Sequence, residues 1–240
     1  MPRDNLPAMH SLDVLYEDNH LLVLNKPAGL VTMGVAPGEP SLLAIAKSYI
    51  QRKYAKPGNV YLGAMSRLDA PVTGIVLFAR TSKAAARLTE QFRTREVDKL
   101  YWAVVSGAAP SSGDCVDHLL KDERHRKMHV VERPQPGSVE ARLSYRRLAK
   151  VDRGESLLEV TLETGRKHQI RLQLASRGMP IVGDRKYGSS VAFAPGIALH
   201  ARRLIVEHPT RHESMTFTAP LPESWRRFQL PQHLVSPTTP

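Results

Sequence analysis

The sequence predicts one α+β domain, and two patterns carry that prediction. Apolar runs of strand length are joined directly in some places and through amphipathic helices in others. The strict strand–helix alternation of a doubly wound parallel sheet is missing. Scale and continuity agree: 240 residues, 42% hydrophobic and 24% charged, are enough to bury a sizeable core. No repeat of solenoid period and no long Gly/Ser linker divides the chain.

Residues 21–24 are an unbroken apolar run halted by Asn25-Lys26-Pro27-Ala28-Gly29, which reads as a buried strand stopped by a turn. Ser41 precedes Leu42, Leu43, Ile45, Ala46, Tyr49 and Ile50, whose spacing predicts an amphipathic helix capped by Ser41 and stopped by Pro57-Gly58. Residues 74–80 read as a second buried strand. Ser82 then opens a helix with Ala84, Leu88 and Phe92 on one face. Residues 100–105 are aromatic and β-branched, a strand ended by Ser106-Gly107. The polar, cationic stretch 121–129 lies between strand-like segments and reads as a mobile basic hairpin or loop. Residues 143–148 and 157–162 read as strands around the turn Asp152-Arg153-Gly154. Residues 168–176 form a helix that buries Ile170 and Leu174 and stops at Gly178. A strand over 198–206 and Pro-rich connections follow, and 231–240 read as a flexible tail.

Lys and Arg number 34 against 23 Asp and Glu, a net charge of +11, which favours a polyanionic partner such as nucleic acid over a merely basic surface. No apolar stretch approaches the ~20 residues of a membrane-spanning helix, and residues 1–10 carry no apolar signal core, so a soluble, cytoplasmic protein without a membrane partner is expected. A single cysteine, Cys115, excludes an internal disulfide framework and a cysteine zinc site. The H-E-x-x-H, phosphate-loop, dinucleotide and G-x-S-x-G signatures are all missing. The simplest enzymatic reading is a cofactor-free, metal-free reaction built on a carboxylate and cations.

Three segments hold candidate chemistry. In Ser66-Arg67-Leu68-Asp69-Ala70-Pro71-Val72-Thr73-Gly74, Pro71 restricts Ala70 and Gly74 allows a tight turn into the strand, so Asp69 is displayed on a rigid loop at a sheet rim. A carboxylate beside cations suits a nucleophile or base; an aspartate that merely turns the loop is the competing reading. Thr164-Gly165-Arg166-Lys167-His168-Gln169-Ile170-Arg171 offers Arg166, Lys167, His168 and Arg171 near a helix start, either an anion site or a solvated helix face. On the strand Lys99-Leu100-Tyr101-Trp102-Ala103, Tyr101 and Trp102 face opposite sides, and Tyr101 either stacks on a base or fills the core.

Together these segments resemble the RluA family of RNA pseudouridine synthases, from Tyr16 to about Phe228. The landmarks stand in family order: Val23-Leu24-Asn25-Lys26-Pro27-Ala28-Gly29, Arg67-Leu68-Asp69, 74–80, 99–103, 164–171, Gly183-Asp184-Arg185-Lys186-Tyr187-Gly188 and Ala198-Leu199-His200-Ala201. The resemblance implies a central, mostly antiparallel bent sheet flanked by helices, with an RNA-binding cleft across its middle. It also implies isomerisation of uridine to pseudouridine in structured RNA (rRNA or tRNA), without metal or organic cofactor and with no obligate protein partner evident. Asp69 matches the family's catalytic aspartate, Tyr101 its active-site tyrosine, Arg171 the basic residue paired with the aspartate, and Arg67 the arginine that fills the space of a flipped nucleotide. Lys121, Arg124, Arg126 and Lys127 join Arg166, Lys167 and His168 as expected RNA contacts. A catalytic domain over 13–230 follows an N-terminal extension, 1–12, too short for the extra RNA-binding domain of some relatives. The family usually has histidine where Ser66 stands, threonine-serine where Val72-Thr73 stand, and histidine where Gln173 stands. These departures fit a divergent subgroup; the alternative is a weak or inactive RNA-binding module that retains the fold.

Overall fold

The strands of the described residues pair edge to edge, near and far in sequence, into one eleven-stranded sheet. The computed structural model describes residues 12–36, 38–125, 127–151 and 154–235. In chain order these hold β1 (Asp13–Glu17), β2 (Leu21–Lys26), α1 (Leu42–Lys53), β3 (Gly63–Ala64), β4 (Thr73–Ala79), α2 (Ser82–Thr94) and β5 (Asp98–Val105). They continue with β6 (Ser112–Asp122), β7 (Lys127–Val131), β8 (Val139–Lys150), β9 (Ser156–Leu162), α3 (Gln169–Ala175), β10 (Leu199–Glu207), β11 (Ser214–Thr218) and α4 (Gln232–Val235). Single 3-10 turns cover Arg185–Tyr187 and Glu223–Phe228.

The strand order is β1-β2-β4-β10-β5-β9-β8-β6-β7, with β3 added to β4 and β11 to β10. Only β4 and β10 run parallel; the other pairings are antiparallel, as an α+β chain rich in direct connections requires. One edge of β10 is shared, His200 and Ala201 meeting β4 while 203–207 meet β11. Gly74 makes that junction possible: its φ is +109°, and a Cβ there would lie 2.3 Å from the Ala201 carbonyl oxygen.

β2 and β4 are buried almost throughout, which explains their continuous apolar sequence. Helix α1 buries Leu42, Ala46 and Ile50, and Ser41 caps it by accepting from the Ala44 N–H at 3.2 Å. It ends at Lys53, ahead of Pro57-Gly58, because Ala55 already turns to φ +46°. Thr81 caps α2, whose Ala84, Ala85, Leu88 and Gln91 are buried. The expected hairpin forms from β6 and β7, its turn held by Asp122, which accepts from the His125 N–H (3.0 Å) and contacts the rings of His125 (2.6 Å) and His129 (3.0 Å).

Three expectations shift. Helix α3 begins at Gln169 rather than His168, whose φ of +54° places it outside the helix. The strand read at 143–148 extends over Val139–Lys150, since pairing on both edges lengthens it. Gln232–Val235, expected in a flexible tail, form α4, and Leu234 rests on the main core. Residues 1–11 and 236–240, with Pro37, Arg126, Asp152 and Arg153, lie outside the described residues. No helix among the described residues is long and apolar enough to cross a membrane. Beside the main core, a small cluster of Leu119, Met128, Ala141 and Leu172, flanked by Val130 and Tyr187, joins the hairpin to α3.

Candidate active site

The loop before β4 is held from all sides. The Thr32 hydroxyl donates to the Leu68 carbonyl and accepts from the Leu68 N–H, both at 3.0 Å. The Asp69 carbonyl accepts from the Val72 N–H at 3.0 Å, closing a turn, and the Ala70 carbonyl accepts from the Gly29 N–H at 2.8 Å. Pro71 offers its carbonyl to the Ile197 N–H at 3.1 Å. Buried Lys26 completes the clamp: its Nζ donates to the carbonyls of Leu30 (2.7 Å), Pro27 (2.8 Å) and Ala70 (3.2 Å). Burial pulls the Lys26 ammonium down to about 8, with the Asp69 charge acting against that pull. Asp69 thus stands on a backbone with little freedom, its side chain 26% exposed.

Helix α3 brings Arg171 to meet it. Arg171 donates from Nη1 to Asp69 Oδ2 at 2.8 Å, across 102 positions of sequence. Its other side is occupied by Asp184, which accepts from Nε at 2.7 Å and Nη2 at 2.9 Å. Arg171 and Asp184 side chains are only 6% and 1% exposed, a buried fork-to-fork pair. Burial alone would lower the guanidinium; the bonds to Asp184, then Asp69, more than offset it and hold Arg171 charged.

Tyr101 on β5 is half-buried, and desolvation, then the Asp69 charge, pushes its phenol up to about 12, so it stays protonated. Trp102 faces the opposite side of the strand, buried and stacked with Arg202, whose guanidinium carbon is 5.0 Å from its ring centre. His168 Nε2 lies 3.7 Å from Asp69 Oδ2, and its Nδ1 meets the Tyr187 hydroxyl at 2.7 Å. Burial drives His168 down to about 4; Asp69 works against this, and Arg171, Lys186 and Lys167 reinforce it, leaving the ring neutral at pH 7.

Asp69, Tyr101, His168 and Arg171 therefore converge. Arg67 lies exposed on the same loop, without a hydrogen bond or ion pair to any described residue. Lys167 is exposed beside His168, and its charge reaches Lys186 together with those of Arg171 and Lys127. Arg166 is turned onto β8, its Nε donating to the Glu140 carbonyl at 2.9 Å. Lys121 and Arg124 lie exposed at the hairpin tip, Lys121 paired with Glu123, while Lys127 is half-buried at the start of β7. Arg126 falls outside the described residues.

The departures from the family pattern serve packing. Ser66 Oγ accepts from the Leu77 N–H at 3.1 Å, and Val72 is a core residue. Gln173, two residues past Arg171 and so on the far side of α3, gives its amide to Asp117 (2.6 Å) and to the carbonyls of Cys115 and Ala141 (both 3.2 Å). Sequence reasoning assigns no role to Lys26, Asp184 or Tyr187. The signal that could have found Asp184 lies in Gly183-Asp184-Arg185-Lys186-Tyr187-Gly188: a buried guanidinium has more donors than one carboxylate can satisfy, and a second carboxylate must come from elsewhere in the chain.

Residues 20–176 match the family model of RNA pseudouridylate synthases. Ribosomal large subunit pseudouridine synthase D of Xylella fastidiosa is 36% identical over 235 residues, covering 92% of this chain and 69% of that protein. The dual-specificity RNA pseudouridine synthase RluA of Haemophilus influenzae is 33% identical over 219 residues, 90% of this chain and 95% of its own length. Among known structures, human RNA pseudouridylate synthase domain containing 4 superposes with a TM-score of 0.73 at 25% identity, covering 90% of this chain and 93% of that one. The human domain containing 1 protein shares the fold, with a TM-score of 0.71 at 21% identity. The chain belongs to the RluA family of RNA pseudouridine synthases and is an isomerase.

Proposed function

We propose that this enzyme converts uridines in structured ribosomal or transfer RNA to pseudouridine with Asp69 as the acting carboxylate, and that residues 13–230 form its catalytic domain. The observation that carries the assignment is the 2.8 Å pair between Asp69 and an Arg171 that is itself buried and gripped by Asp184. A carboxylate so aimed, partly exposed on a rigid loop, is preorganised for a sugar carbon brought to it. One relative's name, a ribosomal large subunit enzyme, supports a ribosomal target, and the other is named as dual-specificity.

The uridine must first leave its stack, which costs about a few kcal/mol. Phosphate contacts by Lys121, Arg124, Lys127, Arg166 and Lys167 offset that cost, and Arg67 fills the vacated space, a role its exposure supports. Asp69 then attacks C1′ or takes the C2′ proton; either route breaks the N1–C1′ bond. The uracil turns and C5 bonds to C1′, releasing the Asp69 carboxylate from C1′ on the first route or with the C2′ proton returned on the second; as C5 gives up its proton N1 gains one, so nothing is added or lost. Arg171 orients the carboxylate throughout. Tyr101, protonated at neutral pH, meets the uracil face and can deliver or relay a proton.

Replacing Asp69 by alanine or asparagine is expected to abolish pseudouridine formation, read by mass spectrometry on RNA from cells lacking the enzyme. RNA affinity should stay within about tenfold, because phosphate contacts dominate it. Turnover by the alanine variant would overturn the assignment.

A further inference from the structure

The β6–β7 hairpin reaches the neighbourhood of Asp69 through a continuous chain of polar contacts. β7 is an edge strand, and the N–H of Met128 donates to the Tyr187 hydroxyl at 3.2 Å. The same hydroxyl meets His168 Nδ1 at 2.7 Å, and the opposite nitrogen of that ring, Nε2, lies 3.7 Å from Asp69 Oδ2. The direction of the middle hydrogen bond follows from counting donors. With the Met128 N–H already on its oxygen, Tyr187 keeps one hydrogen, and Nδ1 is the acceptor beside it among the described residues. Nδ1 then carries a lone pair and the neutral ring holds its hydrogen on Nε2. The other tautomer would turn a lone pair toward a carboxylate. Both arguments select the same form, with an N–H facing Asp69 alongside the Arg171 Nη1 donor.

We propose that Tyr187 is a positioning residue for the isomerisation: it fixes the His168 tautomer that faces Asp69, and through Met128 it ties that arrangement to the seating of the hairpin. This rests on the reading of Asp69 as the acting carboxylate. The packing around the chain supports the coupling. Met128 and Leu172, the residue after Arg171, share one apolar cluster with Tyr187 at its flank, and the Arg171 guanidinium carbon lies 5.1 Å from the Tyr187 ring centre. A hairpin drawn away from α3 withdraws the Met128 N–H, frees the hydroxyl to turn, and releases the ring. RNA that grips the hairpin in its seated position therefore also sets the donors around the carboxylate. Among the described residues, the charged groups acting on His168 are Asp69 from the loop before β4, Arg171 from α3, Lys186 from the 3-10 turn, and adjacent Lys167.

The first test reads the wild-type protein directly. Nitrogen-15 spectra of its histidine rings at pH 7 are expected to show His168 as the Nε2–H form; an Nδ1–H form overturns the proposal. The second uses Tyr187→Phe, which keeps the ring against Arg171 and the apolar cluster. Its single-turnover rate should fall about tenfold or more at unchanged RNA affinity. The ionisation of His168 in its rate profile should also lie above that of the wild type, because Nδ1 no longer accepts the Tyr187 hydrogen and takes a proton more readily. A Tyr187→Phe enzyme with the wild-type rate and profile overturns the relay. Asp69→Asn separates the two ideas: turnover by that variant removes the reading of Asp69 itself, whereas an inactive Asp69→Asn beside a normal Tyr187→Phe removes only the relay.

Discussion

Arg171 holds two carboxylates at similar distances, and they differ in what their removal costs. Asp184 is 1% exposed and takes two bonds from the guanidinium; Asp69 is 26% exposed and takes one. Asp184→Ala removes two of the three carboxylate bonds from a guanidinium that is only 6% exposed, and breaking a buried pair costs about 3–5 kcal/mol. For a domain of this size each kcal/mol moves Tm by about 2–4 °C, so a fall of about 6–20 °C is expected. Asp69→Ala leaves both bonds to Asp184 in place and exposes the freed donor to the cleft, so its cost should be about 1 kcal/mol or less. Thermal and urea unfolding of the two variants side by side measure the difference. Equal destabilisation, or a larger one for Asp69→Ala, would refute the division of labour in which Asp184 anchors the arginine and Asp69 is left free for chemistry. The activities should not follow the stabilities: the more stable variant is the one expected to be dead.

Two further outcomes follow from the same structure. His200 is fully buried, its Nδ1 2.8 Å from the Thr73 hydroxyl, and burial lowers it to about 4, as it does His168. Both rings stay neutral in the folded chain while free histidine in the unfolded chain takes a proton below about 6.5. The unfolded state then binds more protons, so stability falls as pH drops from about 6.5 to about 4, by of order 3 kcal/mol for His200 and by less for His168, which is less deeply buried and faces Asp69. Urea midpoints measured across that range should show the slope, and His200→Gln should flatten it. Joint replacement of Lys121, Arg124, Arg126 and Lys127 by alanine should weaken RNA binding and reduce its salt slope by about one for each phosphate no longer neutralised. Lys121 should matter least, since Glu123 already holds it, and a salt slope equal to that of the wild type would make the hairpin tip an ordinary solvated turn.

Much of the fold is legible because the core strands advertise themselves. β2 and β4 are buried on both faces and so carry unbroken apolar runs, and α2 places Ala84 and Leu88 at helical spacing over them. The peripheral strands β1 and β11 carry mixed, partly exposed sequences that do not stand out as strands. Their pairing depends on neighbours that a local window does not contain. The left-handed turn at His168 is likewise invisible in residue type, since histidine has no special preference for it strong enough to override a helical pattern.

The site divides in the same way. Motif order alone points to the RluA family, to an RNA isomerase and to Asp69, Tyr101 and Arg171 as its candidates, because short segments around a reaction centre keep their residue types and spacing. Which atoms meet is another matter. Lys26 sits in what reads as a surface turn, yet three carbonyls surround its ammonium in the interior. The bidentate grip of Asp184 on Arg171, and the path from Met128 through Tyr187 and His168, join segments far apart in the chain. Sequence settles what each residue is able to donate, accept or bury. Only the folded sheet, by bringing the loop before β4, α3, the 3-10 turn and the edge strand β7 to one place, decides which donor reaches which acceptor, since hydrogen bonds and ion pairs act over a few ångströms and chain separation says nothing of that distance.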